Sequence, residues 1–190
     1  MHKVSSHVQT DLLGKPVRQR RPKYEAALER HELRQVPDRA ERIRWLSQVI
    51  PRSSGYLMPL ECMRVFQEAK DCFVYGQYVA TVVLASAFAE HWLGGLLQES
   101  DHGKVATQGL AAIVEHYRKA GTLPPILCEQ LDTLRRIRNP FVHLKDFDHP
   151  HNLVQRMLKR KTHPDSILES DAKLALTTMY SVVVHARAQA

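Results

Sequence analysis

The chain has 190 residues and a formal net charge of +7, with 44% hydrophobic and 25% charged residues. These figures fit a compact soluble protein with one well-buried core and some chain left over. Its three cysteines, Cys62, Cys72 and Cys128, are an odd set with no Cys-x-x-Cys spacing, which argues against a disulfide framework and a zinc knuckle and for a reducing cytoplasm.

The charge is unevenly placed. Lys3, Lys15, Arg18, Arg20, Arg21 and Lys23 face a single Asp11 before Tyr24, a net of +5, so the rest of the chain is nearly balanced. The first 23 residues lack a sustained apolar period, and residues 1–37 read as a basic arm, partly disordered or holding one short helix from after Pro22 to about Gln35. Such an arm neutralises phosphates through counterion release without reading sequence, which favours RNA and assigns Arg18, Arg20, Arg21 and Lys23 to RNA binding. A ribosome, an acidic antitoxin or another protein partner would draw on the same charge, and a solvated tail has the same composition.

Residues 38–190 read as the folded domain. Pro37 and Asp38 restart the pattern, and Arg39 to Val49 predicts a helix with Ile43, Leu46 and Ile50 inward, ending before Pro51 and the Ser53-Ser54-Gly55 turn. Pro59 to Cys72 gives the next helix, and a turn near Gly76 leads to the most apolar segment, Gln77 to Gln98, the expected central helix. Its apolar run is broken by Glu90-His91, and the N-terminus lacks an apolar signal core, so neither a membrane span nor export is expected. After a polar break at Ser100 to Gly103, Val105 to Lys119 is amphipathic. Gly121 and Pro124-Pro125 separate it from a helix with apolar residues at Leu127, Leu131, Leu134, Ile137 and Phe141. A polar region, Leu144 to Glu169, precedes a last helix over about Ser170 to Ala186. With no strand-like alternation and no repeat, the fold class is all-α, an up-and-down bundle of four to five core helices behind the arm.

The most informative stretch is Arg138-Asn139-Pro140-Phe141-Val142-His143, which puts a permanent cation, an amide and an imidazole close together. Asn139 is a strong N-cap type and Pro140 a favoured first helical residue, so one helix is expected to end at Arg138 and another to begin, with His143 in its first turns. A phosphate at that helix start would meet free backbone N–H groups, and Arg138 would add a bidentate clamp. Arg138 also projects from the buried stripe, four residues after Leu134, so it needs a partner. Ser86, Glu90 and Gly94 form a polar and small stripe on the central helix, where a second helix approaches closely, and Glu90 is the candidate partner. The pair is read equally as a buried ion pair that only fixes helix register.

An all-helical domain with an Arg, an adjacent polar residue and a His four to six residues on resembles the HEPN superfamily; here the pattern is Arg138-Asn139-x-x-x-His143. The resemblance runs from roughly Leu60 to Val184. It implies a metal-independent ribonuclease, often of toxin-antitoxin, abortive-infection or RNA-processing systems, with a site built across a homodimer from both chains' motifs. Some members keep the fold without activity and bind nucleotides or proteins.

The reaction expected is attack of a ribose 2′-hydroxyl on the adjacent phosphorus, leaving a 2′,3′-cyclic phosphate and a 5′-hydroxyl, with no cofactor and no metal. His143 would move the proton, Arg138 would stabilise the charge on the nonbridging oxygens, Asn139 would cap the helix and orient the phosphate, and Glu90 would hold Arg138 in place. Two alternatives stand beside it: a noncatalytic helical module binding a nucleotide, RNA or protein, and a metal-dependent hydrolase using Asp146, Asp148, His149 and His151. The run Lys159-Arg160-Lys161 reads as a second RNA-binding patch or as a solvated face.

Overall fold

The computed structural model describes residues 22–49, 58–100 and 102–187. Among these there are eight helices and no strand: α1 (Lys23–Val49), α2 (Leu60–Val74), α3 (Tyr78–Glu99), α4 (Gly103–Ala106), α5 (Leu110–Ala120), α6 (Pro125–Val142), α7 (Leu153–Arg160) and α8 (Pro164–Arg187). The chain is all-α. It divides into two compact units, one ending at Asp38 and the other beginning at Arg39. In the first unit the described part of α1 exposes Tyr24, Leu28, Leu33 and Val36.

The second unit is built around α3, which packs against α2, α4, α5, α6 and α8. By length and composition α3 alone among the described helices suffices to cross a membrane. Its burial has a simple source: Val82, Ala85, Phe88, Ala89 and Leu93 are fully enclosed by the neighbouring helices. α2 turns Cys62, Phe66, Ala69 and Phe73 inward at steps of four, three and four, one helical face. α6 does the same with Leu127, Leu131, Leu134 and Ile137. At about 25 cal/mol per Å² of apolar surface removed from water, stripes of this kind supply the main driving force. The buried Tyr117 of α5 keeps its hydroxyl satisfied by donating to the Leu93 carbonyl at 3.1 Å.

From Arg39 onward, α1 joins this unit through Trp45, whose ring lies 5.1 Å from Phe73, and through Arg42, which donates to the Val74 carbonyl at 2.9 Å and to the Tyr78 hydroxyl at 3.1 Å. Arg42 therefore straps the turn between α2 and α3. Gly76 lies there at φ 74°, and a Cβ at that position would come within 3.3 Å of the guanidinium.

Several elements differ from the sequence-based expectation. α1 continues through Pro37 instead of restarting there. The amphipathic segment expected over Val105 to Lys119 is divided into α4 and α5, because Gly109 adopts φ 86° and ψ 170°, which a helix cannot contain. The region read as polar and irregular contains α7, and α8 starts at Pro164 instead of near Ser170. Finally, α6 runs through Pro140 to Val142. Cys62 and Cys128 are buried free thiols and Cys72 is half-buried; burial pushes the pKa of all three upward.

Candidate nucleic-acid site

The continuity of α6 changes the local chemistry of the motif. Asn139 is a residue of the last helical turn and not an N-cap, Pro140 lies inside the helix, and His143 is the C-cap with extended φ −135° and ψ 133°. A proline so near a C-terminus is tolerable because it forfeits only one backbone bond, and the adjoining turn is closed by the His143 N–H donating to the Asn139 carbonyl at 2.9 Å. The expected helix start is thus replaced by a helix end. A helix end offers carbonyl oxygens and a partial negative charge, so no backbone N–H cradle for a phosphate exists at this point.

Side chains converge all the same. Arg138 Nη2 lies 3.5 Å from Glu90 Oε2, and Nη1 lies 3.5 Å from His143 Nε2. Nη1 also donates to Asn139 Oδ1 at 3.4 Å. All three contacts are long, so each is weak alone. A guanidinium only donates, so the contact with His143 is a hydrogen bond when Nε2 is the unprotonated ring nitrogen. Arg138 is 20% exposed and Glu90 is 32% exposed; the pair is a partly solvated one at the edge of the core, in place of the buried pair expected. His143 is exposed.

Glu90 also reaches the start of α5, since a Cβ built on Gly109 would lie 3.9 Å from Glu90 Oε1. The carboxylate therefore stands where α3, α5 and α6 meet. Gly94, one turn further along α3, is where α4 and α5 come close: its Cβ would sit 3.5 Å from the Ala106 carbonyl oxygen and from Ile113 Cδ1. Ser86 is buried, and its hydroxyl has no hydrogen-bond partner among the described residues. Gly109 was not singled out from sequence; the available signal was a lone glycine within a helical pattern.

The residues after His143 form a braced loop. Asn152 Nδ2 donates to the Asp146 carbonyl at 2.7 Å and to the Phe147 carbonyl at 3.3 Å, and Gln155 Nε2 donates to the Phe147 carbonyl at 3.1 Å. His149 and His151 lie with ring centroids 5.6 Å apart. Burial first, then the neighbouring His149, Arg136, Arg156 and Arg135, lower the imidazole pKa of His151. Among the described residues no three His, Cys, Asp or Glu side chains converge as metal ligands, so Asp146, Asp148, His149 and His151 do not form the cluster that the metal-dependent alternative requires.

Lys159 and Arg160 end α7 and Lys161 caps it at φ 52°, all three exposed. Lys23 is the exposed first residue of α1, whereas Arg18, Arg20 and Arg21 lie outside the described residues. In comparisons with known proteins, no family model matches the chain, and no curated protein and no solved structure matches it.

Proposed function

We propose that this chain is a metal-independent endoribonuclease of HEPN type, an up-and-down bundle acting as a cytoplasmic homodimer with RNA as its substrate. The observation that carries the reading is the reach of one guanidinium, 3.5 Å from an imidazole nitrogen on one side and 3.5 Å from a carboxylate on the other. A phosphate accepted by Arg138 would bring its ribose next to His143. The 2′-oxygen then attacks phosphorus, its proton passes to His143 Nε2, the P–O5′ bond breaks, and O5′ takes up a proton. The products are a 2′,3′-cyclic phosphate and a 5′-hydroxyl.

The roles follow from the charges. Arg138 offsets the negative charge that builds on the nonbridging oxygens, an electrostatic role favoured by being fixed in advance. Glu90 near Nη2 and Asn139 near Nη1 orient Arg138, and this replaces the capping role expected for Asn139. One chain offers one His143, so a second motif across a twofold axis would supply the acid that protonates O5′. Exposed Lys159, Arg160 and Lys161 would bind flanking phosphates, as would the basic N-terminal segment, and a cognate antitoxin is a further partner in this reading.

The second reading is a noncatalytic helical module that binds RNA, a nucleotide or a protein. The observation that favours it is the helix end at His143, which removes the backbone anion site. Incubating purified protein with mixed-sequence RNA, with and without EDTA, separates the two. Cyclic phosphate ends that persist under chelation support the ribonuclease, and intact RNA supports the module. Light scattering at micromolar concentration reports the dimer; an active monomer removes the paired site.

A further inference from the structure

Phe147 stands out on the described surface. It is 79% exposed, while Phe66, Phe73 and Phe88 are buried and Phe141 is half-buried. An exposed phenyl on a loop gains nothing from the core, yet its backbone is held firmly. The Phe147 carbonyl accepts from both Asn152 and Gln155, and the preceding Asp146 carbonyl accepts from Asn152 Nδ2 and from the His149 N–H at 3.0 Å. The ring is thus carried on a backbone fixed by side chains from the start of α7.

Its neighbours in the chain are charged: Lys145 and Asp146 on one side, Asp148 on the other. Val142 and Leu144 are exposed nearby in the chain, but Lys145, Asp146 and Asp148 interrupt the apolar run, whereas the centre of a protein interface is depleted of charge. The ring suits an unpaired base, which offers a flat face to stack and polar edges to hydrogen bond. Phe147 is four residue steps from His143, a chain reach of at most about 14 Å. A base stacked there would adjoin the phosphate held by Arg138.

We propose that the Phe147 ring is a stacking platform for an unpaired base of single-stranded RNA, with Asp146 and Asp148 accepting from that base's exocyclic amino group. This rests on the reading of Arg138 and His143 as an RNA site. Carboxylates only accept hydrogen bonds, so cytosine, with its amino donor, is preferred over uracil, which presents a carbonyl at the same position. The two carboxylates also repel phosphate, which keeps the RNA backbone on the Arg138 side.

The test uses fluorescein-labelled 2′-O-methyl oligocytidine and oligouridine, which lack the attacking hydroxyl, so binding is read apart from cleavage. Phe147→Ala is expected to weaken binding of both by about 5- to 100-fold, the range found for loss of one stacked base. Phe147→Trp should retain affinity, Asp146→Asn with Asp148→Asn should reduce the preference for cytidine, and binding of inorganic polyphosphate should be the same in the parent and Phe147→Ala. The proposal is overturned if the parent does not bind the oligonucleotides, or if Phe147→Ala binds them as the parent does. It is equally overturned if that variant loses polyphosphate to the same degree, or changes only the oligomeric mass. Cleavage of unmodified RNA is scored separately. A parent that binds through Phe147 but never cuts removes the ribonuclease and leaves the platform; a parent that cuts while Phe147→Ala binds normally does the reverse.

Discussion

Arg156 on α7 and Asp171 on α8 form a two-point ion pair, Nη1 to Oδ2 at 2.6 Å and Nη2 to Oδ1 at 2.5 Å, with 7% and 6% of their side chains exposed. α7 packs on α8, and this pair lies inside that contact. Removing one partner leaves a buried charge with no counterion. Arg156→Ala should therefore cost about 3–5 kcal/mol, whereas replacing both residues with apolar ones of similar volume should cost far less. Urea unfolding of the single and double variants checks this; equal losses would mean that the pair is not the relevant contact.

Gly109 offers a backbone test. Its φ of 86° and ψ of 170° belong to a region that side-chain-bearing residues essentially avoid. Gly109→Ala is expected to destabilise by about 1–3 kcal/mol through strain, since the added Cβ would make only ordinary contact with Glu90. Gly95 is the control. It lies inside α3 with nothing within 4 Å of an added Cβ, so Gly95→Ala should raise stability by about 0.5–1 kcal/mol. Opposite shifts in the urea midpoint are the expected result.

Three site variants separate chemistry from scaffolding. His143→Ala should slow RNA cleavage by about a hundredfold to ten-thousandfold while leaving the melting temperature unchanged, because the side chain is exposed. Arg138→Ala should abolish most cleavage at a stability cost of only about 1 kcal/mol, since the pair with Glu90 is partly solvated. Glu90→Gln should slow cleavage less than either, by leaving Arg138 less well held. Full activity in His143→Ala would transfer support to the noncatalytic module.

His151 gives stability a pH dependence of definite sign. Its imidazole pKa is lowered from 6.5 in the folded protein, by burial first and then by the surrounding cations. Between the two values the unfolded chain binds the extra proton, so stability is full above pH 6.5 and falls as the pH is lowered through that point toward the folded-state value. His151→Gln should flatten this part of the curve. Urea midpoints at pH 7.5 and at about pH 5.5, parent against variant, measure it.

The parts of the fold legible in the sequence were those governed by local signals. Pro59, Gly76, Gly121 and the Pro124-Pro125 pair bound α2, α3, α5 and α6 closely, because each acts through its own backbone. α7 was illegible for a different reason: its innermost residue is the charged Arg156, and only a partner 15 positions later makes that burial tenable. Periodicity cannot register an ion pair of that kind. The motif shows the same limit. Spacing brought Arg138 and Glu90 into relation, but Asn139-Pro140 spelled a helix boundary, and α6 continues past it to Val142. Pro37 within α1 is another such case, where the cost of a missing N–H did not end the helix.

The Arg156–Asp171 pair has one more consequence, for how the protein can vary. The loop that carries Phe147 leaves α6 at His143 and is secured at its far end by a buried lock that uses none of the loop's own side chains. What lies between includes Leu144, Asp146, Phe147 and Asp148, whose exposed side chains can be exchanged while α6, α7 and α8 keep their places; half-buried His151 is not of this kind. Variation of those exposed side chains is thereby separated from preservation of the scaffold that presents Arg138 and His143.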